Sequence, residues 1–307
     1  MDLSVKLPGL NLKNPVIPAS GCFAFGREFA MIYDLGLLGG LVTKSVTLDA
    51  RLGNPLPRIA EAPCGMLNAI GLENKGVDFV KLRELPNLEK YDTEVIVSVA
   101  GSSPQEYQEI ISRLNGMDVI KAFELNVSCP NVATGGMAIG TDPDALNETV
   151  RLAKAAADKP VYVKLSPNVT DIVQMAVTAE QAGADGLVLI NTVQGLRMDL
   201  RTARPLLGNI TGGLSGPAIK PIALRMVYQV AQNVSIPIIG CGGISCGEDV
   251  LEFLYAGASA VEVGSENLID PWACPRIIDE LPAALAKYRM DSIQEAIGKG
   301  LPKTKEL

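Results

Sequence analysis

Histidine is absent from all 307 positions. That removes histidine-ligated metal centres and every relay in which a histidine activates a serine or cysteine, so a proton-moving enzyme built from this chain must use a thiol, carboxylate, lysine or tyrosine. Aromatic residues are scarce at 5%, which argues against a base-stacking surface for single-stranded nucleic acid. Basic runs are missing and the net charge is −7, the wrong sign for a phosphate-backbone binder. No apolar segment reaches the roughly 18 uncharged residues of a spanning helix. Met1-Asp2-Leu3-Ser4 lacks the basic start and apolar core of a signal peptide, so the chain reads as cytoplasmic. Cysteine is thinly spread: Cys22, Cys64, Cys129, Cys241, Cys246 and Cys274 suit reduced thiols better than a disulfide framework. Cys241 and Cys246 have the spacing of a plant-type iron–sulfur loop, but Asp249 stands where that pattern needs another cysteine, and no cluster or other metal is assigned.

What is present is aliphatic. Hydrophobic residues make up 48% of the chain, and short β-rich runs alternate with amphipathic stretches. Candidate strands fall at 16–20, 38–46, 95–100, 122–128, 161–166, 186–191, 236–241 and 260–264, with helices over 103–115, 142–157, 170–182, 217–233, 246–256 and 275–287. Ser103-Pro104 and Asp142-Pro143 are helix starts, a capping side chain followed by proline in the first turn. Asp171 to Gly183 and Glu248 to Gly257 share one design, a helix closed by glycine and followed by a buried strand. Eight strands with crossover helices predict an α/β fold: a single (β/α)8 TIM barrel over 1–307, with inserted loops at 47–75 and 193–216 on the C-terminal face.

In such a barrel the loops after the strand ends make the active face. The run Glu124 to Asn131 (ELNVSCPN) brings Cys129 to a strand end, since Pro130 pushes its neighbour to extended geometry and cannot continue a ladder. A lone cysteine there is commonly a buried, inert thiol, yet Asn126 and Asn131 flank it with amides suited to a flat polar ring. Asn68 and Asn191 converge on the same pole. Gly242-Gly243 and Gly264-Ser265, at the ends of strands seven and eight, form the usual barrel phosphate cradle. Lys44 and Lys164 sit inside apolar strands. A structural salt bridge would explain either lysine alone, but two at one pole beside a phosphate site fit an anionic ligand better.

These residues carry a resemblance. Thr43-Lys44-Ser45, Asn68-Ala69-Ile70-Gly71-Leu72, Asn126-Val127-Ser128-Cys129-Pro130-Asn131, Lys164, Asn191-Thr192, Gly240-Cys241-Gly242-Gly243-Ile244 and Asp270-Pro271-Trp272 occur in the order found in the dihydroorotate dehydrogenase family. The chain resembles that family over essentially its whole length, and most of all its class 1B catalytic subunits. Class 2 members are less similar, with serine at the catalytic position and an amino-terminal membrane segment.

The resemblance implies an FMN-containing barrel that oxidises dihydroorotate to orotate in pyrimidine biosynthesis. Cys129 would take a proton from ring carbon C5, with Lys44 as the cation that favours its thiolate. Lys44, Asn68, Asn126, Asn131, Asn191 and Thr192, with main-chain groups of Ala69, Ile70, Gly71 and Leu72, would hold orotate. Ser20, Lys44, Ser45, Asn126, Lys164, Ile190, Gly216, Gly242, Gly243, Gly264 and Ser265 would surround FMN. Two positions depart from the family's pattern: Ser98 where asparagine is frequent, for which no FMN contact is carried over, and Ser265 where threonine is common. Class 1B relatives pass electrons to NAD through a separate subunit bearing FAD and a 2Fe-2S cluster. This chain has no dinucleotide fingerprint or cluster ligands of its own, so the resemblance implies such a partner around a homodimeric core. A fumarate-using class 1A enzyme is the nearest alternative. A dihydropyrimidine dehydrogenase-like enzyme, a flavin-free phosphate-binding barrel lyase or isomerase, and a non-catalytic barrel subunit stay open beside it.

Overall fold

The computed structural model describes residues 1–128 and 139–302. Cys129 and Asn131 therefore lie outside the described residues. Eight parallel strands form one sheet: β1 (Val16–Pro18), β2 (Gly40–Val42), β3 (Glu94–Val99), β4 (Ile120–Asn126), β5 (Val161–Lys164), β6 (Gly186–Leu189), β7 (Ile238–Cys241) and β8 (Ala260–Val263). From β2 to β8 each pairs with its neighbours in sequence, and β8 returns to pair with β1, Val261 opposite Val16. The seam between β1 and β2 is closed by the Gly39 amide, which donates to the Val16 carbonyl at 3.1 Å. Every candidate strand is observed, which is the (β/α)8 arrangement the alternation of runs predicts.

Six helices cross over between strands or follow them: α1 (Pro104–Leu114), α2 (Pro143–Ala156), α3 (Ile172–Gln181), α4 (Lys220–Ala231), α5 (Gly247–Tyr255) and α6 (Ala273–Lys287). Ser103, Asp142 and Asp171 cap α1, α2 and α3 by accepting amide hydrogens from the first turn, satisfying donors that would otherwise be orphaned. Gly183 and Gly257 take positive φ just past α3 and α5, the left-handed turn that lets the chain re-enter the sheet. Buried side chains of these helices and of both strand faces form one continuous core.

The strands are shorter at their C-terminal ends than their apolar runs. Lys44 has left the ladder, its amide donating to Ala24 instead, and Val46 rejoins it only as an isolated bridge to Val99. Ser20, Lys44, Ser45, Asn191 and Gly264 accordingly stand on loops just beyond the strands. An amino-terminal hairpin, Val5–Leu7 paired with Leu10–Leu12, lies at the opposite end. Its Pro8 carbonyl accepts from the Tyr162 hydroxyl on β5, and its Asn11 amide donates to Glu94 where β3 begins. The mouth at the strand C-termini is thus left as the place for a site.

The two insertions do something their local patterns do not reveal. Ile59–Ala62 and Gly65–Asn68 from the first pair with Gly212–Ser215 and Val193–Gly195 from the second, forming a four-stranded antiparallel sheet. It has its own small core of Leu67, Ala69 and Leu207. Asn68 sits directly opposite Gly213.

At Gly39 any Cβ would collide with the Asn14 carbonyl oxygen. The Asn14 side chain is itself committed, donating to Leu37 and accepting from the Val16 amide. Gly39→Ala should cost about 1–3 kcal/mol, read as a lower denaturant midpoint; an unchanged midpoint would show that the seam is loosely held.

Candidate active site

The described site residues meet at the C-terminal mouth. Ser45 is the hub: its hydroxyl lies 3.3 Å from Ser20, 2.9 Å from Ser98, and accepts from the Asn126 amide at 3.2 Å. Asn126 in turn accepts from Asn191 at 3.2 Å, so β1, β2, β3, β4 and β6 are linked by one polar chain. Ser98, for which the sequence offered no contact, is fully buried within it. The amide of Asn191 orients the loop after β6, because its oxygen accepts from the Thr192 backbone.

The small sheet supplies the wall. Asn68 donates to the Gly213 carbonyl at 3.2 Å, and a Cβ on Gly213 would strike the Thr192 side chain. Asn68 and Thr192 are therefore brought together by a glycine 145 residues from one and 21 from the other. Ala69, Ile70, Gly71 and Leu72 continue from Asn68, Leu72 with positive φ. Its neighbour Asn74 accepts from the Thr47 and Gly76 amides and donates to Leu72, tying the insertion back to the barrel.

The glycine cradle lies on the β7, β8 and β1 side. Gly216 and Gly243 approach each other there, the Gly216 carbonyl 2.8 Å from where a Gly243 Cβ would stand. Gly242 packs beside Ile190. Asn267 holds the β8 exit by donating to the Val263 and Gly264 carbonyls, next to buried Ser265. Added Cβ atoms at Gly21 and Gly264 would meet nothing nearer than 4.0 Å. Those two positions leave bare backbone at the mouth beside the Ser20–Ser45–Asn126 row, with the amide and hydroxyl chemistry that could hold a phosphate-bearing ligand. Asp249, at the place a cluster ligand would need, instead accepts from Ser245 and Cys246 at the start of α5 and binds the Lys220 ammonium at 2.6 Å.

Lys164 corrects one sequence argument. It does make the salt bridge that two lysines at one pole were taken to disfavour: its ammonium donates to Glu262, and Glu124 lies 3.9 Å away. All three are buried, and β5 and β8 are not neighbours, so the pair crosses the barrel lumen. Burial pulls the ammonium down, but Glu124 and Glu262 outweigh it and hold Lys164 well above the usual lysine range. Being cationic and next to Asn126 in register, it can still face an anion at the mouth. Burial pushes the Cys22 thiol up to about 11, against the pull of Lys164 and Lys44. Glu124 and Glu262 were missed, although each interrupts an apolar strand as visibly as Lys164 does.

The chain matches the family model described as dihydroorotate dehydrogenase over residues 2–285. It is 59% identical to the dihydroorotate dehydrogenase B (NAD(+)) catalytic subunit of Anoxybacillus flavithermus, over 97% of this chain and 95% of that one. The protein of the same name from Geobacillus kaustophilus is 59% identical with the same coverage. That from Bacillus pumilus is 57% identical over 97% and 96%.

Removing the ammonium alone would leave two buried carboxyls without a counter-ion. Lys164→Ala should lose about 3–5 kcal/mol of unfolding free energy, measured by urea denaturation at neutral pH; a loss near zero would mean the lumen is solvated.

Proposed function

The chain belongs to the dihydroorotate dehydrogenase family, and from that premise we propose that it oxidises (S)-dihydroorotate to orotate in pyrimidine biosynthesis, passing electrons to NAD through a separate subunit. The match over nearly the full length of relatives named as NAD-linked catalytic subunits carries this reading. FMN, one per chain, is the cofactor. The open cradle at Gly21 and Gly264 beside the serine row supports it. Ser20, Lys44, Ser45, Asn126, Lys164, Ile190, Gly216, Gly242, Gly243, Gly264 and Ser265 would hold it. When bound, FMN supplies the acceptor for the hydride that leaves C6 of the substrate.

The chain's own residues bind and deprotonate. Lys44, Asn68, Asn126, Asn131, Asn191 and Thr192, with the backbone of Ala69, Ile70, Gly71 and Leu72, engage the carboxylate and amide edges of the ring. The network Asn191–Asn126–Ser45 supports this, because each amide is already turned by a neighbour before substrate arrives. Cys129 takes the C5 proton. A free thiol with pKa near 8.5 is only a few per cent thiolate at pH 7, so Lys44, on the loop after β2, favours the anion. Lys164 would hold the cofactor and stabilise the negative charge that builds on it on reduction.

The partner subunit carries FAD and a 2Fe-2S cluster and docks on a homodimeric core. The word "subunit" in the relatives' names supports a second polypeptide. The working compartment is the cytoplasm. The described cysteines are free thiols, which supports a reducing environment. No helix among the described residues is long and apolar enough to cross a membrane.

The test is the visible spectrum of the purified chain before and after dihydroorotate is added without air. Bleaching of a flavin band is the expected outcome, and a colourless or unresponsive chain would remove the reading. Cys129→Ala should keep FMN and orotate binding while turnover at neutral pH falls by about 10²–10⁴-fold. Cys129→Ser should regain rate only toward alkaline pH, since a hydroxyl is the poorer base; turnover like that of the unmodified chain would take Cys129 out of the reaction.

A further inference from the structure

The lumen holds one carboxyl more than its ammonium can balance. Glu124 from β4 and Glu262 from β8 are each 1% exposed and Lys164 from β5 is 5% exposed. The ammonium is committed to Glu262 Oε2, with Glu124 Oε1 at 3.9 Å. Two ionised carboxylates would leave a net negative charge out of contact with water, a strongly disfavoured state. Both oxygens of Glu124 and Oε1 of Glu262 have no hydrogen-bond partner. A single added proton, bound to one of these oxygens and donated to another, would satisfy two of the three.

We propose that Glu124 and Glu262 hold one proton between them at neutral pH, carried on Glu124, and that this pair positions Lys164: Glu262 fixes where the ammonium lies, and the proton on Glu124 keeps the triad neutral. Burial and the charge of Glu262 hold Glu124 well above the usual carboxylate range, against the pull of Lys164. The neighbouring thiols add no charge to the triad. Cys241, opposite Glu262 in register, and Cys22, after β1, are pushed by burial up to about 12 and about 11 and stay neutral thiols. Lys44 adds positive charge on the Cys22 side, and Ser98 faces Glu124 with a hydroxyl.

The consequence for the cofactor rests on the flavin reading above. As pH rises and Glu124 loses its proton, one unit of negative charge appears beneath a ligand that bears a phosphate and accepts electrons beside Lys164. Binding of FMN should then weaken, whereas a glutamine at position 124 has no proton to lose.

The proton can be observed without any cofactor. Infrared difference spectra of the intact chain as purified should show the C=O stretch of a buried carboxylic acid at neutral pH. The band should titrate away on raising pH and be missing from both Glu124→Gln and Glu262→Gln, because either change leaves one carboxylate for one ammonium. No such band in the unmodified chain, or a band that persists in Glu124→Gln, would overturn the proposal; if a variant fails to fold, the titration of the unmodified chain decides alone. In FMN titrations the Kd of the unmodified chain should rise across the same pH range on the order of tenfold, as one unit charge at roughly 10 Å and an effective dielectric constant of about 20 gives, while Glu124→Gln stays flat. Equal pH dependence in the two would refute the positioning role. Absence of FMN binding with the band intact would instead count against the flavin reading and leave the shared proton standing.

Discussion

One ammonium held across a closed barrel shapes the rest of the site. Lys164 reaches from β5 to Glu262 on β8 across the lumen. A charge shut away from water survives there because the counter-charge is built in. Its neighbours grade the surroundings. The hairpin against the starts of β3, β4 and β5 covers the far end, and the hydroxyls of Ser98, Ser45 and Ser20 grade the lumen from ionic to polar toward the mouth. Polar groups at the rim can then be ordered before a ligand arrives, since each amide or hydroxyl already has a partner that fixes its direction.

The second constraint is that the opposite wall belongs to no single segment. Asn68 and Thr192 are placed by a sheet whose strands come from two insertions far apart in the chain, meeting at Gly213. A small core of Leu67, Ala69 and Leu207 is too slight to hold such a sheet alone, so the wall depends on the barrel having closed beneath it. The placement of Asn68 and Thr192 is thereby coupled to the global fold. A loop that acted independently would carry an ordering cost at each binding event.

Much of this was legible in the residues. The eight strands, the capped helix starts at Ser103, Asp142 and Asp171, and the glycine turns at Gly183 and Gly257 all follow from local chemistry, in which side-chain period, capping and allowed φ point to one answer. The polar mouth followed from reading the strand ends as one list. Three things could not be read so. The small sheet is set by pairing between Asn68 and Gly213, which no local period encodes. Strand ends were drawn too long because apolar side chains continue past the last ladder bond, as at Lys44. The partners of Lys164 are a matter of which side chains meet across the lumen, and Glu124 and Glu262 signal only that something charged is buried. Cys129, the residue on which the chemistry was centred, lies outside the described residues, so its role rests on the sequence.

Without histidine in the chain, positive charge at the mouth must come from other side chains, and the two lysines there are not equivalent. The charge of Lys164 is matched at contact distance by Glu262 and approached by Glu124, so the field it projects toward the mouth is largely cancelled beyond a few ångströms. It suits a ligand resting directly on it. Lys44 is half-buried on the loop after β2, outside that triad, with Gly21 beside its ammonium. The difference between the lysines therefore follows from where they stand: two lumen carboxyls make Lys164 a local contact, whereas Lys44 lies on the loop at the mouth.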